Sequence, residues 1–245
     1  MIEYIVLGIA QGIFEWLPIS SEGVVVLLGQ FFKSDINLVD TALFLHLGTF
    51  FAVLVYFSKD WLKIISFKDN KRLKFLLITT IIALIVSYPI YGAVRNVKVG
   101  SGLLALVGFG LLLTAYFSKQ KKKLNISDNG LAFVAGILQG LAVIPGLSRS
   151  GSTIFGLSLS KDDSEDILKT SYLMSGPVVL AAAIYIYLQD TAVALSLWPA
   201  LLFSFLLGLL TLNILLKFAK RVNFFNFLLV FAGLSFLGAI IDFLV

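Results

Sequence analysis

The length of its apolar runs governs what this chain can fold into. At about residues 38–57, 74–94, 99–117, 128–145, 167–187, 196–217 and 224–245 the sequence stays apolar for close to the ~20 residues a helix needs to cross a bilayer. With 59% hydrophobic and 13% charged residues in 245, no soluble fold could cover that much apolar surface. The sequence predicts an all-α, polytopic membrane protein whose medium is the bilayer. The net charge of +5 comes from loop lysines and arginines, so it reads as topology and not as nucleic-acid binding. There are no cysteines, which excludes disulfides, thiol catalysis and thiolate metal sites. The opening MIEYIVLGIAQG lacks a basic n-region and a small-residue cleavage site, so it is expected to be a membrane segment.

Three further runs, near 2–17, 22–33 and 150–160, carry the unusual features. The stretch GIAQGIFEWLPISSEG at 8–23 collects a glutamine, two glutamates, a proline and two serines, and GILQGLAVIPGLSRSG at 136–151 varies it. Shifted by 128 positions, Gly8, Gln11, Gly12, Ser20 and Gly23 fall on Gly136, Gln139, Gly140, Ser148 and Gly151. This predicts internal repeats, 1–127 and 128–245, within one membrane domain spanning 1–245. The runs after each polar stretch, 22–33 and 151–160, are too short to span, so each half is expected to hold a re-entrant, broken helical hairpin plus three transmembrane helices. Three is odd, so the second half must be inverted relative to the first. Six basic residues in loop 58–74, four in 118–124 and three in 217–222, against two near 94–99 and none in 188–197, place the first three loops in the cytoplasm. The hairpins then enter from opposite sides, and their tips can meet.

Gln11 and Glu15 are four apart and share a helix face. Pro18 breaks the first element and Pro145-Gly146 the second. In the second, Ser148-Arg149-Ser150-Gly151-Ser152-Thr153 leads into a half-helix. Amides at a half-helix N-terminus suit an anion, hydroxyls add donors, and glycine lets the backbone approach closely. Arg149 adds a planar fork that matches phosphate oxygens. The candidate phosphate contacts are Ser20, Gly146, Ser148, Ser150, Gly151 and Thr153, with Arg149 as the charged clamp. Glu15 and Gln11 are the candidate ligands of a divalent cation, Mg²⁺ or Ca²⁺.

Plainer roles stand beside these. Gln139 and Ser20 also fit as glue between helices. Arg149 could snorkel to an interface, or simply pair with Glu15, whose carboxylate costs about 3 kcal/mol within a span. His46, the lone histidine, is either a proton shuttle or, more commonly for such a residue, a helix-packing hydrogen bond. Trp16, Trp61 and Trp198 sit near span ends, as aromatic belts do. The run Lys121-Lys122-Lys123 reads as a cytoplasmic anchor.

QGIFEWLPISSEG followed by PGLSRSGST resembles the two signatures of the undecaprenyl-diphosphatase family, the bacitracin-resistance membrane phosphatases. The likeness covers nearly the whole chain, including the LHLGT segment. It implies release of the terminal phosphate from a C55-type polyprenyl diphosphate, recycling the lipid carrier for envelope glycan synthesis. It also implies a divalent cation and an interdigitated inverted repeat. The site is expected to open to the outer face of the cytoplasmic (inner) membrane. Carried over by position, Gln11 and Glu15 match the [E/Q]xxxE pair. Ser21 matches the proposed nucleophile or substrate-binding serine, and Ser148, Arg149 and Thr153 match the phosphate contacts. The family usually has a histidine after the first signature; here Val24 stands in that place. Glu22 is then either a replacement in proton transfer or a solvated loop residue. Without a base beside Ser21, metal-assisted attack by water is the more robust route. The competing reading is a flippase for the polyprenyl-phosphate head group, without hydrolysis. A homodimer is compatible with either.

Overall fold

The computed structural model describes residues 2–17, 20–32, 36–95, 105, 108–109, 112, 115–116, 125–144, 147–160, 163–219, 225–226, 229–230, 232–233, 236–237 and 239–240. Pro18, Pro145, Gly146 and the Lys121-Lys122-Lys123 run lie outside them, as do most of the apolar runs at 99–117 and 224–245. Among the described residues every regular element is helical. In chain order these are α1 (Ile2–Phe14), α2 (Ser21–Phe31), α3 (Leu38–Tyr56), α4 (Ser58–Ile65), α5 (Asn70–Val94), α6 (Asp128–Leu141), α7 (Arg149–Ser158), α8 (Ser164–Gln189), α9 (Thr191–Ser196) and α10 (Trp198–Ala219). Helices α3, α5 and all of α8 but its first residue are long and apolar enough to cross a membrane. The protein is a multi-pass integral membrane protein.

Polar residues between the runs set where helices begin. Asn37, Asp69, Ser127 and Asp163 each accept a hydrogen bond from a backbone amide in the first turn of the following helix. Such caps satisfy donors that no earlier turn can reach. Pro89 and Pro177 lie inside α5 and α8, each removing one rung of the hydrogen-bond ladder. In a membrane helix packed among others this is tolerated.

Two helices were hidden in expected loops. Within the basic stretch 58–74, α4 buries Ile64 and sets Trp61 against the core while its lysines stay outside. Arg72 bridges Asp60, Asp69 and Asp166, and Lys169 Nζ lies 2.7 Å from Asp60, so charges tie α4 to α5 and α8. The short α9 occupies 191–196, capped by Asp190. The tryptophan expectation needs correction at one position. Trp198 is exposed, whereas Trp16 is only 2% exposed and donates from Nε1 to the Gly208 carbonyl at 2.8 Å. A partner for its indole N–H inside the bundle outweighs the interface.

The core is built by helix crossings at small residues. α1 packs on α10 and α3, α6 on α5 and α7, α3 on α8 and α10, and α5 on α8. At Gly12 an added Cβ would lie 2.8 Å from the Ser204 carbonyl and 2.9 Å from Gly208 N; at Gly140 it would lie 2.8 Å from the Ala83 carbonyl. Backbone touches backbone at both crossings, which only glycine allows. Gly12→Ala is expected to cost about 1–3 kcal/mol of stability, read as a lowered unfolding temperature in detergent.

Candidate active site

Glu15 stands one residue past α1, and its amide still bonds the Gln11 carbonyl at 3.1 Å, so the helical spacing carries through. The turn is pinned on several sides. Trp16 is anchored to α10 as above, Tyr172 stacks edge-on against it at 5.1 Å, and Thr211 Oγ1 donates to the Gly12 carbonyl at 2.7 Å. From this fixed turn the Glu15 carboxylate, 3% exposed, reaches four partners. Oε2 accepts from Gln11 Nε2 at 2.5 Å and Ser21 Oγ at 2.9 Å. His46 Nε2 faces the same oxygen at 3.2 Å, and Arg149 Nη2 donates to Oε1. Glu15 and Arg149 thus meet across 134 residues of sequence. A second contact between the two polar stretches runs beside this one, where Ser150 Oγ donates to the Leu17 carbonyl at 2.7 Å.

The other sequence candidates divide by what their side chains touch. Ser20 and Ser148 act as caps: Gly23 N donates to Ser20 Oγ at 3.0 Å, and Gly151 N to Ser148 Oγ at 3.1 Å. Ser148 Oγ also lies 3.2 Å from Ser150 Oγ. These caps start α2 and α7 where Ser21 and Arg149 must stand. Thr153 Oγ1 turns away from Glu15, donating to the Arg149 carbonyl at 2.9 Å and lying 2.6 Å from Ser171 Oγ on α8. Gly146 lies outside the described residues. Glu22 is no solvated loop residue. It sits in the first turn of α2, 4% exposed, and its Oε1 has no hydrogen-bond partner among the described residues. Ser20 caps the helix that begins at Ser21, and Glu22 is buried in its first turn.

His46 makes a contact between elements, the commoner of the two roles its sequence offered, with a partner, Glu15, that the sequence did not name. Its Nδ1 lies 2.7 Å from the Ala42 carbonyl, which can only accept, so Nδ1 carries the hydrogen. Nε2 is left to face Glu15, and attraction between them needs one proton in that contact. The only signal available beforehand was its place in an apolar run, which does not say which helix face it occupies.

A cavity of about 480 Å³ opens beside this cluster. Glu22, His46, Gln139, Arg149 and Ser175 supply its polar end. Its remaining wall is apolar, formed by Leu84, Ile85 and Tyr88 of α5 facing Val178, Val179, Ala182 and Tyr185 of α8. Ile85 and Tyr88 are 65% and 69% exposed, so this wall runs out to the protein's flank. At its rim Tyr91 donates to Asp40 at 2.6 Å, and Arg95 donates to the same carboxylate through Nε and Nη2 at 3.0 and 2.7 Å. Arg149 Nε and Nη1 and Gln11 Oε1 are buried without partners among the described residues. Among the described residues no group of three or more His, Cys, Asp or Glu is placed to hold a metal ion by itself. A guanidinium at the head of an apolar slot, paired behind it with a carboxylate that accepts from a hydroxyl, can bind and cleave a phosphate ester or anhydride on a lipid.

Comparison with known proteins agrees with this chemistry. Residues 4–237 match the family described as bacitracin resistance protein BacA. A protein of Methanococcoides burtonii named undecaprenyl-diphosphatase is 36% identical over 263 aligned positions, covering 99% of this chain and 98% of its own. Proteins of the same name from Haloarcula marismortui and Halothermothrix orenii are 33% and 37% identical. The first alignment covers 97% of this chain and 96% of the relative, the second 74% and 72%. By both the extent of the match and the residues that carry it, the chain belongs to the BacA bacitracin resistance family.

Proposed function

We infer that this chain hydrolyses undecaprenyl diphosphate to the monophosphate and inorganic phosphate. The observation that carries the reading is the convergence of Ser21 and Arg149 on the Glu15 carboxylate, with Arg149 also lining the polar end of a cavity that has an apolar flank. The names of its full-length relatives support it. The same relatives favour hydrolysis over transport of the head group without bond cleavage.

In this reading Arg149 Nε and Nη1 take oxygens of the terminal phosphate. Ser21 Oγ attacks phosphorus, its proton passes to Glu15 Oε2, and the bond to the bridging oxygen breaks, releasing the monophosphate. Water then cleaves the phosphoserine. The 2.9 Å contact between Ser21 and Glu15 supplies the base that serine attack requires. His46 and Gln11 hold the carboxylate in place from α3 and α1. A divalent cation, Mg²⁺ or Ca²⁺, fits beside them, since Gln11 Oε1 is an unpartnered buried oxygen and Glu15 a carboxylate. It would neutralise charge on the diphosphate, with substrate oxygens completing its shell.

Release of the product recycles a lipid carrier for envelope glycan synthesis at the cytoplasmic membrane. An outward-facing site is supported by the basic loops, which put the N-terminal ends of α5 and α8 inside. Tyr88, Tyr91 and Tyr185, at the far ends of those helices, line the cavity. An inverted repeat of two broken hairpins is supported by reciprocal packing: α1 crosses α10 as α6 crosses α5, through Gly8 and Gly12 in one case and Gly136 and Gly140 in the other.

The test is phosphate release from a long-chain prenyl diphosphate by purified protein, with and without chelator. Absence of release, with head-group movement in liposomes, would assign the flippase instead. Ser21→Ala is expected to lower kcat by about 100-fold or more, with no phosphoenzyme trapped on acid quench. Turnover within a few-fold of wild type would give the attack to water.

A further inference from the structure

Among the described residues, five buried polar atoms near the cavity lack a hydrogen-bond partner, and they are of two chemical kinds. Arg149 Nε and Nη1 are donors; Gln11 Oε1, Gln139 Oε1 and Glu22 Oε1 are acceptors. The donors seek an anion, and the acceptors a cation or a donor. Together they form the complement of a phosphate group that carries a metal ion. Among the three acceptors only Glu22 can carry a full negative charge. It is 4% exposed and lines the same cavity as Arg149 and His46.

The first turn of α2 favours an anion there, but a helix terminus offsets only part of the cost of a buried carboxylate. The other carboxylate of the site is heavily engaged. Glu15 already meets Gln11, Ser21, His46 and Arg149, so a cation approaching it competes with a guanidinium. Glu22 Oε1 faces no such competition. We propose that Glu22 is a carboxylate ligand of the divalent cation that enters with the diphosphate. Mg²⁺ sites of this kind use one or two carboxylates and take their other ligands from phosphates and water, which matches the absence of a preformed three-residue group among the described residues. The proposal rests on the diphosphatase reading. It adds a second carboxylate to the cation site beside Gln11 and Glu15: Glu15 also holds the nucleophile, and Glu22 meets the cation on the cavity wall.

The experiment titrates the full chain in detergent with Mn²⁺ in the presence of methylenediphosphonate, a diphosphate that cannot be hydrolysed, and follows free Mn²⁺ by electron paramagnetic resonance. Glu22→Gln is expected to weaken Mn²⁺ at least about tenfold, and Glu22→Asp, which keeps the charge, by about threefold or less. Unchanged affinity in a Glu22→Gln variant that remains monodisperse and unfolds cooperatively would overturn the proposal, as would absence of Mn²⁺ binding by the wild type. Anomalous diffraction from wild-type crystals grown with Mn²⁺ gives a reading that needs no variant. A peak within ligand distance of the Glu22 carboxylate supports the assignment, and one held only by Glu15 and Gln11 refutes it. Failure of the diphosphatase reading shows separately, as wild-type protein that releases no phosphate with any cation.

Discussion

Arg149→Ala is expected to lower kcat/KM for phosphate release by about 10³-fold or more. The guanidinium has two tasks in one place. One nitrogen holds Glu15, and two others, Nε and Nη1, are buried without partners at the cavity. Alanine removes the phosphate clamp and leaves a buried carboxylate without its cation, so a stability loss of about 3–5 kcal/mol should accompany the loss of rate. Lysine restores the charge but not the fork, and Arg149→Lys should recover stability better than activity. Thermal unfolding and phosphate release, measured on the same preparations, separate the two effects.

The second large effect is at Glu15. Glu15→Gln keeps the shape of the side chain and removes its charge, and it should cost about 10²–10⁴-fold in kcat, because the hydroxyl of Ser21 loses its proton acceptor. The double variant Glu15→Gln with Arg149→Met decides between a catalytic pair and a structural one. Removing both charges together relieves the unpaired ion, so the unfolding temperature should rise relative to Arg149→Ala. Activity should stay as low as in the worse single variant, since residues that act as a unit are not additive. Recovery of turnover along with stability would mean that the pair only holds the hairpins together.

Much of this site was legible because ions are expensive in apolar sequence. Glu15 and Arg149 stood out for that reason, and the spacing of Gln11 from Glu15 gave their shared face. The prolines marked where the chain would break and the serines after them read as phosphate donors, but two of these, Ser20 and Ser148, spend their oxygens capping helices. His46 was not legible as a partner of Glu15, because the contact joins α3 to the turn after α1 and depends on how those helices rotate. Glu22 was ambiguous because Ser-Ser-Glu-Gly reads equally as a turn and as the start of a capped helix. Trp16 misled for a related reason: an indole near a span end looks interfacial until a carbonyl on another helix, Gly208, takes its N–H. In α4, part of a basic loop stretch, Lys59 and Lys63 concealed an inward side, where Ile64 and Trp61 pack.

The exposed edge of the slot at Ile85 and Tyr88 bears on how this protein must be handled. On the diphosphatase reading the isoprenoid lies along this apolar wall, and a surfactant with one slender tail would compete for it. Raising micelle concentration at fixed substrate dilutes the lipid and fills the slot at once. Rates compared across detergents will differ in apparent KM before they differ in chemistry, and a wide-tailed or bilayer-disc environment is where the site meets its substrate unopposed.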